Sequence, residues 1–349
     1  MAKNKIRALI TGVGGGGHGL EIMKALRISE IPYYICGTDM SGQSIGLFKA
    51  DKRYVVPPAS HTDYISTILD ICKREKIQVI FHGSEPELKA LSENREIFEN
   101  KGIFLPLNSR EIINMCIDKK QTFLFLKNQG ISIPKTVAVD SEKDIDDIDF
   151  FPAVIKPYIG GGGSNNTFIA QDREELIFFC KYILKYGGKP LVQQYVGSSD
   201  NEYTIGILSD KEGNFISSIA IKRYILSGLS NRFKVISIKN KNEMLVISSG
   251  ISQGEVVTET TLLDQCKQIA FTIGSKGPIN IQCRFVDNKV YPFEINPRFS
   301  GTTYMRALAG VNEPDLLIRR YILGENIPRN IVPKFGLVLR GIEEMFIKS

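Results

Sequence analysis

The sequence has few of the residues on which many enzymes rely. It holds three histidines, and its six cysteines form no CxxC pair. The cysteines are therefore expected to be buried thiols in a reducing compartment, without a disulfide framework or a zinc site. No run of 18 apolar residues occurs, so we expect no membrane-spanning segment. Phosphoryl transfer is open to such a chain, because it needs positioned charges more than a protein nucleophile.

The composition is that of an ordinary globular protein. Hydrophobic residues make up 43% and charged residues 23% of the 349 positions, which is enough for two or three domains with substantial cores. The net charge of +6 is modest and suits small anionic ligands, so we expect neither a nucleic-acid nor a membrane partner. The short apolar stretch near the N-terminus stops at glycines. It indicates a first strand and not a signal peptide, and we expect a cytoplasmic protein.

The first hundred residues alternate apolar strands with helical patterns. Such alternation predicts an α/β, Rossmann-like domain in which crossover helices join a parallel sheet. The predicted strands cover residues 7–11, 32–36, 78–82 and 102–106. The predicted helices cover residues 18–28 and 63–75, and a third starts near residue 85.

A glycine-rich turn follows the first predicted strand. Gly12, Gly14 and Gly17 satisfy the GxGxxG pattern, and Asp39 follows the second strand. This is the dinucleotide fingerprint, and it makes an NAD-dependent oxidoreductase one hypothesis. The same turn could serve only to let a helix pack closely on the sheet, or it could line the cleft of a second substrate. Glu85, at the end of a parallel strand, is another candidate for that cleft, or a first-turn acid favoured by the helix dipole.

The middle of the chain changes character. A helix that opens with Asp118 and Lys119 and ends at Gly130 is predicted within residues 116–130. An apolar strand that ends at Lys156 and four glycines at 160–163 follow it. Consecutive glycines expose backbone N–H groups and move readily, which suits a loop that closes over phosphates. No GK[ST] follows, so this is not a Walker A loop; a flexible hairpin tip is the alternative. Further on, Lys222 and Arg223 end a strand, where they are either solvated or directed at a substrate.

Residues 291–301 carry the most specific chemistry. Glu294 and Asn296 are two apart, so they project from one face of a strand. A three-residue hairpin loop before this strand would place Gln282 opposite Glu294, whereas a two-residue loop would turn Gln282 to the other face. We expect the first register, which gathers one carboxylate and two amide side chains. Such oxygen ligands suit Mg²⁺; an ordinary polar strand face is the alternative.

Six short segments in a fixed order resemble the ATP-grasp superfamily, in the branch of carbamoyl phosphate synthetase large chains and carboxylate–amine ligases. They are DKKQT, VIKP with the glycine loop, VQQYV, NEYT, INIQCR and FEINPR, and they span nearly the whole chain. The resemblance implies a Rossmann-like domain over residues 1–115 that precedes an ATP-grasp fold. It further implies a mobile lid region over residues 116–188 and a C-terminal subdomain with the metal site over residues 189–349.

The resemblance also implies roles for individual residues. The residues that would hold or cover the nucleotide phosphates are Lys119, Lys156, Gly161, Gly162, Gly163 and Ser164. Adenine would contact Gln193, Gln194 and Val196, largely through backbone groups, and Glu202 would take the ribose hydroxyls or a second metal. The metal ligands would be Gln282, Glu294 and Asn296, and the catalytic cations would be Arg298, Lys222 and Arg223. Many relatives have a carboxylate where Gln282 stands, whereas the synthetase branch can have glutamine, so the expected metal affinity is lower but not abolished.

These roles imply an ATP-dependent ligase that activates a carboxylate as an acyl phosphate and couples it to an amine, with release of ADP and phosphate. The expected cofactors are ATP and Mg²⁺, with two ions and with Mn²⁺ as a substitute. A small carboxylate and a small amine are the expected partners, and a homodimer is an open option. Three alternatives are a carbamoyl-phosphate-synthetase-like module that forms carboxyphosphate, an NAD-dependent oxidoreductase, and a regulatory nucleotide-binding protein that has lost its chemistry. The intact lysine, glutamate, asparagine and arginine positions argue against the last.

Although the dinucleotide fingerprint is present, we predict that the first domain does not bind NAD. All three histidines lie in this domain, and the second half carries a complete set of nucleotide positions of its own. A glycine-lined helix N-terminus can instead receive a substrate carboxylate. Calorimetry with NAD⁺, NADH and NADP⁺ should detect no binding, and micromolar affinity that excess ATP leaves unchanged would contradict this.

Overall fold

The computed structural model describes residues 5–14, 17–160, 164–227 and 231–348. Within these residues the strands form a parallel sheet of four strands, antiparallel sheets of four and six strands, and a two-stranded antiparallel ribbon. The helices of this described part are all too short or too polar to cross a membrane.

The N-terminal domain has the predicted alternation of strands and helices. Its strands are Ile6–Ile10 (β1), Tyr33–Asp39 (β2), Lys52–Val55 (β3) and Val79–Phe81 (β4). Its helices are His18–Arg27 (α1), Ile45–Lys49 (α2), Tyr64–Glu75 (α3), Glu85–Glu93 (α4) and Arg95–Glu99 (α5). The strands are parallel in the order β3-β2-β1-β4, which confirms a Rossmann-like sheet. The strand predicted over 102–106 is reduced to one bridge, between Phe104 and Val79.

The middle region forms a small antiparallel sheet with a helix on one face. Its elements are Arg110–Ile117 (α6), Lys119–Asn128 (α7), Thr136–Ala138 (β5), Ala153–Pro157 (β6), Phe168–Ala170 (β7), Arg173–Lys185 (α8) and Pro190–Gln194 (β8). The strand order is β5-β8-β6-β7, and we call this the lid sheet. Because β8 pairs with both β5 and β6, the lid sheet extends past the limit predicted after residue 188. The predicted limits of the domains otherwise stay predictions.

The helix predicted over residues 116–130 opens at Asp118 and Lys119 and is followed by Gly130 with positive φ (72°), as expected, but residues 116 and 117 belong to α6. Asp118 has an extended backbone (φ −89°, ψ 102°) and separates α6 from α7. Its carboxylate accepts a hydrogen bond from the Gln121 N–H (3.1 Å), which is the usual role of aspartate at a helix N-terminus. The Lys119 N–H then donates to the Tyr158 carbonyl (2.9 Å). The break therefore ties the first turn of α7 to the end of β6.

The C-terminal subdomain is built on the six-stranded sheet. Its strands are Glu202–Ser209 (β9), Phe215–Tyr224 (β10), Asn231–Ile236 (β11), Met244–Ser248 (β12), Gln253–Val257 (β13), Pro278–Val286 (β14), Lys289–Asn296 (β15) and Gly336–Val338 (β16). Its helices are Thr260–Ile273 (α9), Thr303–Leu308 (α10) and Glu313–Tyr321 (α11). The sheet order is β15-β14-β9-β10-β13-β16, and β11 and β12 form the separate ribbon. The apolar side of α9 packs with β9 and β14 in one buried cluster.

The N-terminal domain and the C-terminal subdomain share an apolar core. Leu317 and Ile318 of α11 and Phe299 lie in the same buried cluster as side chains of β1 and α1. Asp315 of α11 accepts a hydrogen bond from the Tyr33 hydroxyl of β2 (2.5 Å). These contacts hold the N-terminus of α1 in a fixed position relative to the end of β15.

Candidate active site

The turn between β14 and β15 is shorter than predicted. It has two residues, Asp287 and Asn288, and both have positive φ (49° and 59°), as a type I′ turn requires. A two-residue turn in a regular hairpin would direct Gln282 away from the face that carries Glu294. The predicted three-residue loop is therefore wrong.

A β-bulge restores the expected register. Phe293 is an extra residue in β15, and beyond it Gln282 pairs with Glu294 and Asn280 with Asn296. A bulge adds one residue to one strand, so it reverses the facing of every side chain that follows. The predicted gathering of these polar side chains is confirmed, although the bulge and not the turn produces it.

Glu294 is the centre of this polar group. Gln282 Nε2 donates to Glu294 Oε2 (3.1 Å), and Asn296 Nδ2 donates to Oε1 (3.3 Å). Arg298 Nη2 donates to Asn296 Oδ1 (3.0 Å) and pairs with Glu85 Oε1 (3.2 Å). These contacts connect five side chains in one network: Gln282, Glu294, Asn296, Arg298 and Glu85.

The charge of Glu294 is set by nearby cations. Burial alone would raise the pKa of this carboxyl, but Lys119, Lys156 and Arg298 together hold that pKa below its usual value. Glu294 is therefore ionised at neutral pH.

The donor set fits Mg²⁺. Glu294 supplies an ionised carboxylate, and Gln282 and Asn296 supply amide oxygens once their amide groups rotate, since both now donate through nitrogen. Mg²⁺ usually binds one or two carboxylates and completes its octahedron with water and substrate phosphates. The described residues contain no cluster of three or more His, Cys, Asp and Glu side chains. A metal held here would thus rely on phosphate oxygens for most of its negative ligands.

A cleft of about 710 Å³ extends from Glu294 between the lid sheet and the six-stranded sheet. We call it the nucleotide cleft. Every described residue that was predicted to contact the nucleotide lines it: Lys119, Lys156, Ser164, Gln193, Gln194, Val196 and Glu202. Apolar side chains such as Val154 and Ile247 complete the walls, as a site for a flat base requires. Gly161, Gly162 and Gly163 lie outside the described residues.

Lys156 projects from β6 into this cleft with a nearly buried side chain. Its ammonium donates to Gln193 Oε1 (3.0 Å) and to the carbonyl of the bulged residue Phe293 (2.6 Å). Burial lowers the pKa of Lys156 to about 7; Glu294 opposes this and Lys119 adds to it. Both direct partners of the ammonium are neutral, so a phosphate would supply the counter-charge that it lacks.

The side chain of Gln193 is not available to a base. Its oxygen accepts from Lys156, and its Nε2 donates to Thr136 Oγ1 (3.2 Å). The expected adenine contacts at Gln193, Gln194 and Val196 therefore depend on backbone groups at the end of β8. Those contacts stay a prediction.

Glu202 is buried at the floor of the nucleotide cleft. Its Oε1 accepts from Arg223 Nη1 and from Ser248 Oγ (both 2.7 Å), and its Oε2 pairs with Arg284 Nη2 (3.0 Å). Both oxygens of this carboxylate are therefore already bound, by two guanidinium groups and a hydroxyl. The geometry contradicts its use as a ligand for a second metal, and its contact with ribose stays a prediction.

The two cations that end β10 face opposite ways. Arg223 is buried and donates through Nε to Ser252 Oγ (2.7 Å) and through Nη1 to Gln282 Oε1 (3.1 Å). Adjacent residues on a strand alternate between faces, so Lys222 is directed to the other face of the sheet, and it lines neither this cleft nor the one described next. The expectation that Lys222 acts beside Arg223 is corrected here, because one strand cannot direct both side chains at one site.

A second, more open cleft of about 1650 Å³ meets the nucleotide cleft at Glu294. We call it the acceptor cleft. It lies between the N-termini of α1 and α4 and the β14–β15 hairpin. The residues that line both clefts are Ser164, Ser248, Gln282 and Glu294. A group bound in one cleft can therefore reach a group bound in the other.

The first domain contributes to the acceptor cleft. His18, the first residue of α1, and Glu85, the first residue of α4, both line it, and Glu85 is paired there with Arg298. Asp39 of the dinucleotide pattern has a different role, because its Oδ2 accepts from the Gly14 N–H (2.7 Å). The fingerprint carboxylate thus closes the glycine turn and is not directed at a ribose.

Sequence reasoning missed several residues of the site. Arg284 follows Asn280 and Gln282 on the same face of β14, so the strand alternation could have identified it. Ser248 and Ser249, where β12 ends, carry no motif that could have done so. The contact between His18 and a second histidine also has no signal in the sequence, because the two are far apart in the chain.

The fold and the two joined clefts define a class of protein in which a lid sheet and a larger sheet enclose a phosphate-binding site. Two family models match the chain: "PylC-like, N-terminal domain" over residues 9–105 and "ATP-grasp in the biosynthetic pathway with Ter operon" over residues 191–345. The two matches and the relatives below support the resemblance to ATP-grasp carboxylate–amine ligases that the six segments indicated.

Individual proteins are similar to this chain in sequence or in fold. The chain is 26% identical over 317 residues to the carbamoyl phosphate synthase large chain of Clostridium beijerinckii, with 86% of this chain and 27% of that protein covered. It therefore spans about a quarter of that relative's length. The fold is similar to that of biotin carboxylase from Campylobacter jejuni (TM-score 0.65, 17% identity, 95% and 73% covered). It is also similar to that of D-alanine–D-alanine ligase from Bacillus anthracis (TM-score 0.61, 17% identity, 92% and 98% covered).

Lys156 should contribute far more to the affinity for ATP than Lys120, which is exposed. Lys120 is 42% exposed and pairs with Asp140 at the surface, so Lys120→Ala should leave ATP affinity nearly unchanged. Lys156→Ala removes a buried donor to phosphate, a loss of roughly 1.5–3 kcal/mol, or about a 10- to 100-fold weaker affinity. Calorimetric titration of ATP into folded samples of both variants measures this, and equal affinities would contradict the position assigned to Lys156.

The low pKa of Lys156 predicts proton uptake when ATP binds. Above pH 7 the free protein holds this amine mostly neutral, because its pKa is about 7. Bound phosphates favour the charged form, so ATP binding should take up a proton and the affinity should fall as pH rises from 7 to 9. Calorimetry at pH 8 in two buffers of different ionisation enthalpy should show uptake approaching one proton, and no uptake in Lys156→Met. Identical heats in both buffers would contradict this.

Proposed function

We propose that this chain is an ATP-dependent ligase that activates a carboxylate as an acyl phosphate and couples it to an amine. The single observation that carries the proposal is the junction of the two clefts at Glu294. A nucleotide in the first cleft would present its terminal phosphate at this junction, and a carboxylate in the acceptor cleft would approach from the opposite side. In-line phosphoryl transfer needs this opposed arrangement.

The residues at the junction match the charge that such a reaction develops. Lys119 and Lys156 approach from the nucleotide side, and Arg298 lies on the acceptor side. A substrate carboxylate oxygen would form a bond to the γ-phosphorus while the bond to the ADP oxygen breaks. The fixed cations would stabilise the negative charge on the transferred group, which is the main contribution that a protein makes to phosphoryl transfer.

Bound Mg²⁺ would supply further charge neutralisation between the phosphates. The candidate ligands are Gln282, Glu294 and Asn296, held on one face by the Phe293 bulge. In the second half-reaction an amine nitrogen would attack the acyl carbon, the carbon–oxygen bond to phosphate would break, and phosphate would leave. The number of ions and the use of Mn²⁺ stay predictions, as does a homodimer.

A second candidate is a module that phosphorylates bicarbonate to carboxyphosphate. The similarity to carbamoyl phosphate synthase large chains favours it, although this chain matches only about a quarter of their length. An NAD-dependent oxidoreductase has less support, because the Asp39 carboxylate already accepts the Gly14 N–H (2.7 Å). The first two candidates share the junction and differ in the substrate that occupies the acceptor cleft.

The experiment that tests the proposal is a screen for substrate-dependent ADP release. The protein is incubated with ATP and Mg²⁺, with bicarbonate or one amino acid as the carboxylate, and with ammonia or a second amino acid as the amine. ADP release that needs both an amino acid and an amine supports the ligase. Release with bicarbonate alone favours the carboxyphosphate module, and no release with any pair across a broad carboxylate panel contradicts both.

Glu294→Gln should nearly abolish turnover. The substitution keeps the size of the side chain but removes the only carboxylate of the candidate metal set. The expected loss is about 3 kcal/mol of transition-state stabilisation or more, or at least about 10²-fold in rate. Glu93→Gln, an exposed position at the end of α4, serves as the matched control. Wild-type rates for Glu294→Gln, with ADP release measured at saturating Mg²⁺, would exclude this role.

A further inference from the structure

Two of the three histidines meet beside the acceptor cleft, and the proposed phosphoryl transfer uses neither. His18 begins α1 and His82 follows β4, so both lie at the carboxyl ends of neighbouring parallel strands. His18 Nε2 and His82 Nδ1 are 3.1 Å apart, and the rings meet edge to face with centroids 4.9 Å apart. The third histidine, His61, is half exposed at the surface.

The two histidines differ in their position relative to the acceptor cleft. His82 is fully buried (1% exposed), and its Nε2 has no hydrogen-bond partner among the described residues. His18 lines the acceptor cleft together with Arg298 and Glu294. With Nε2 of His18 bound to His82, the Nδ1 atom is the ring nitrogen left for a ligand. One histidine therefore contacts the cleft and the other holds its ring in place.

Coupling an amine to an acyl group requires a proton acceptor. When the nitrogen attacks, it acquires a positive charge and must lose a proton before the amide forms. The other groups on the cleft wall that could accept it are Glu85, which is paired with Arg298 (3.2 Å), and Glu294, which belongs to the candidate metal set. Lys89 and the arginines that line the cleft are cations. Among the described residues that line this cleft, His18 is the remaining proton acceptor.

We propose that His18 accepts the proton of the substrate amine in the second half-reaction and that His82 positions its ring. The inference rests on the proposed ligase function. As the carbon–nitrogen bond forms, the nitrogen's proton passes to His18 Nδ1, the carbon–oxygen bond to phosphate breaks, and phosphate leaves with that electron pair. This role requires the tautomer in which His18 Nε2–H donates to His82 Nδ1, so that the lone pair of His18 Nδ1 is left for the amine.

The electrostatics of the pair agree with this role. Burial lowers the pKa of His18 well below its usual value, and Arg298 and His82 add to this; burial and Arg298 lower the pKa of His82 to about 3. Both rings are therefore neutral at neutral pH. Phosphate bound near Arg298 would offset the effect of that cation and raise the proton affinity of His18 at the stage when an acyl phosphate is present.

The experiment separates the two half-reactions. His18→Gln keeps a hydrogen-bond donor and loses the basic nitrogen, His82→Gln tests the positioning residue, and His61→Gln is the matched control. The carboxylate with the greatest ADP release in the screen is supplied with ATP and Mg²⁺, and either its amine or hydroxylamine is added. Hydroxylamine is a strong nucleophile of low basicity that traps an acyl phosphate as a hydroxamate without a protein base.

In His18→Gln the amide should form about 10²- to 10³-fold more slowly, as expected for loss of a general base, while hydroxamate formation stays within about 3-fold of wild type. His82→Gln should show a smaller loss of the same kind, and His61→Gln no loss. Unchanged amide formation in His18→Gln would overturn the inference, and so would an equal loss of amide and hydroxamate. Hydroxamate formation in that variant also shows that it folds. Failure of the wild-type protein to form hydroxamate or ADP with any carboxylate would instead overturn the ligase proposal, and this inference with it.

Discussion

The site depends on one carboxylate that is surrounded by positive charge. Glu294 accepts from two amides and lies near three cations, which keep it ionised despite its burial. When Lys156 is protonated, the local positive charge exceeds the negative charge, because the acceptors that its ammonium has among the described residues are neutral. Such an imbalance is costly in a partly buried region unless an anion completes it. Triphosphate together with a divalent cation has the charge that this region lacks.

The β-bulge at Phe293 explains why this carboxylate lies where it does. It turns Glu294 and Asn296 toward the cleft, and it leaves the Phe293 carbonyl free of the regular ladder, where it accepts from Lys156 (2.6 Å). One irregular residue therefore places the candidate metal set and one phosphate-binding lysine together. Bulges commonly redirect side chains next to active sites. The bulge adds the one residue that the shorter turn lacks. The predicted pairing of Gln282 with Glu294 is therefore correct, although the predicted turn length is not.

The sequence predicted the parts of the fold that have a clear hydrophobic period. The parallel sheet of the first domain and the β14–β15 hairpin belong to this group. The opening of α7 at Asp118 was predicted as well, since aspartate commonly caps a helix. Predictions failed for the turn before β15, which has two residues where three were expected. They also failed where two adjacent residues were given one role. Lys222 and Arg223 share a motif-like position, but strand geometry lets only one of them face the site.

Residue types alone were not enough to separate binding roles from structural ones. Glu202 and Arg284 have the chemistry of ligands for a nucleotide, yet in the folded chain they form a buried network with Arg223 at the floor of the cleft. Such a network is stable only when every member has a partner, and the Tyr195 hydroxyl lies 3.2 Å from Arg284 Nη2 to complete it. No local pattern predicts these contacts, because their members come from four different strands or strand ends.

The walls of the two clefts differ in how they are attached, and this difference separates nucleotide binding from choice of acceptor. The nucleotide cleft has one wall on the lid sheet, through Val154, Lys156 and the end of β8. The acceptor cleft is bounded mainly by the first domain and the β14–β15 hairpin, which a shared core and the Asp315–Tyr33 hydrogen bond hold together. A movement of the lid sheet would therefore reshape the nucleotide cleft and leave most of the acceptor cleft unchanged. Under the proposed function, the side chains that would discriminate between acceptors are those on these walls, His18, Glu85 and Arg298 among them.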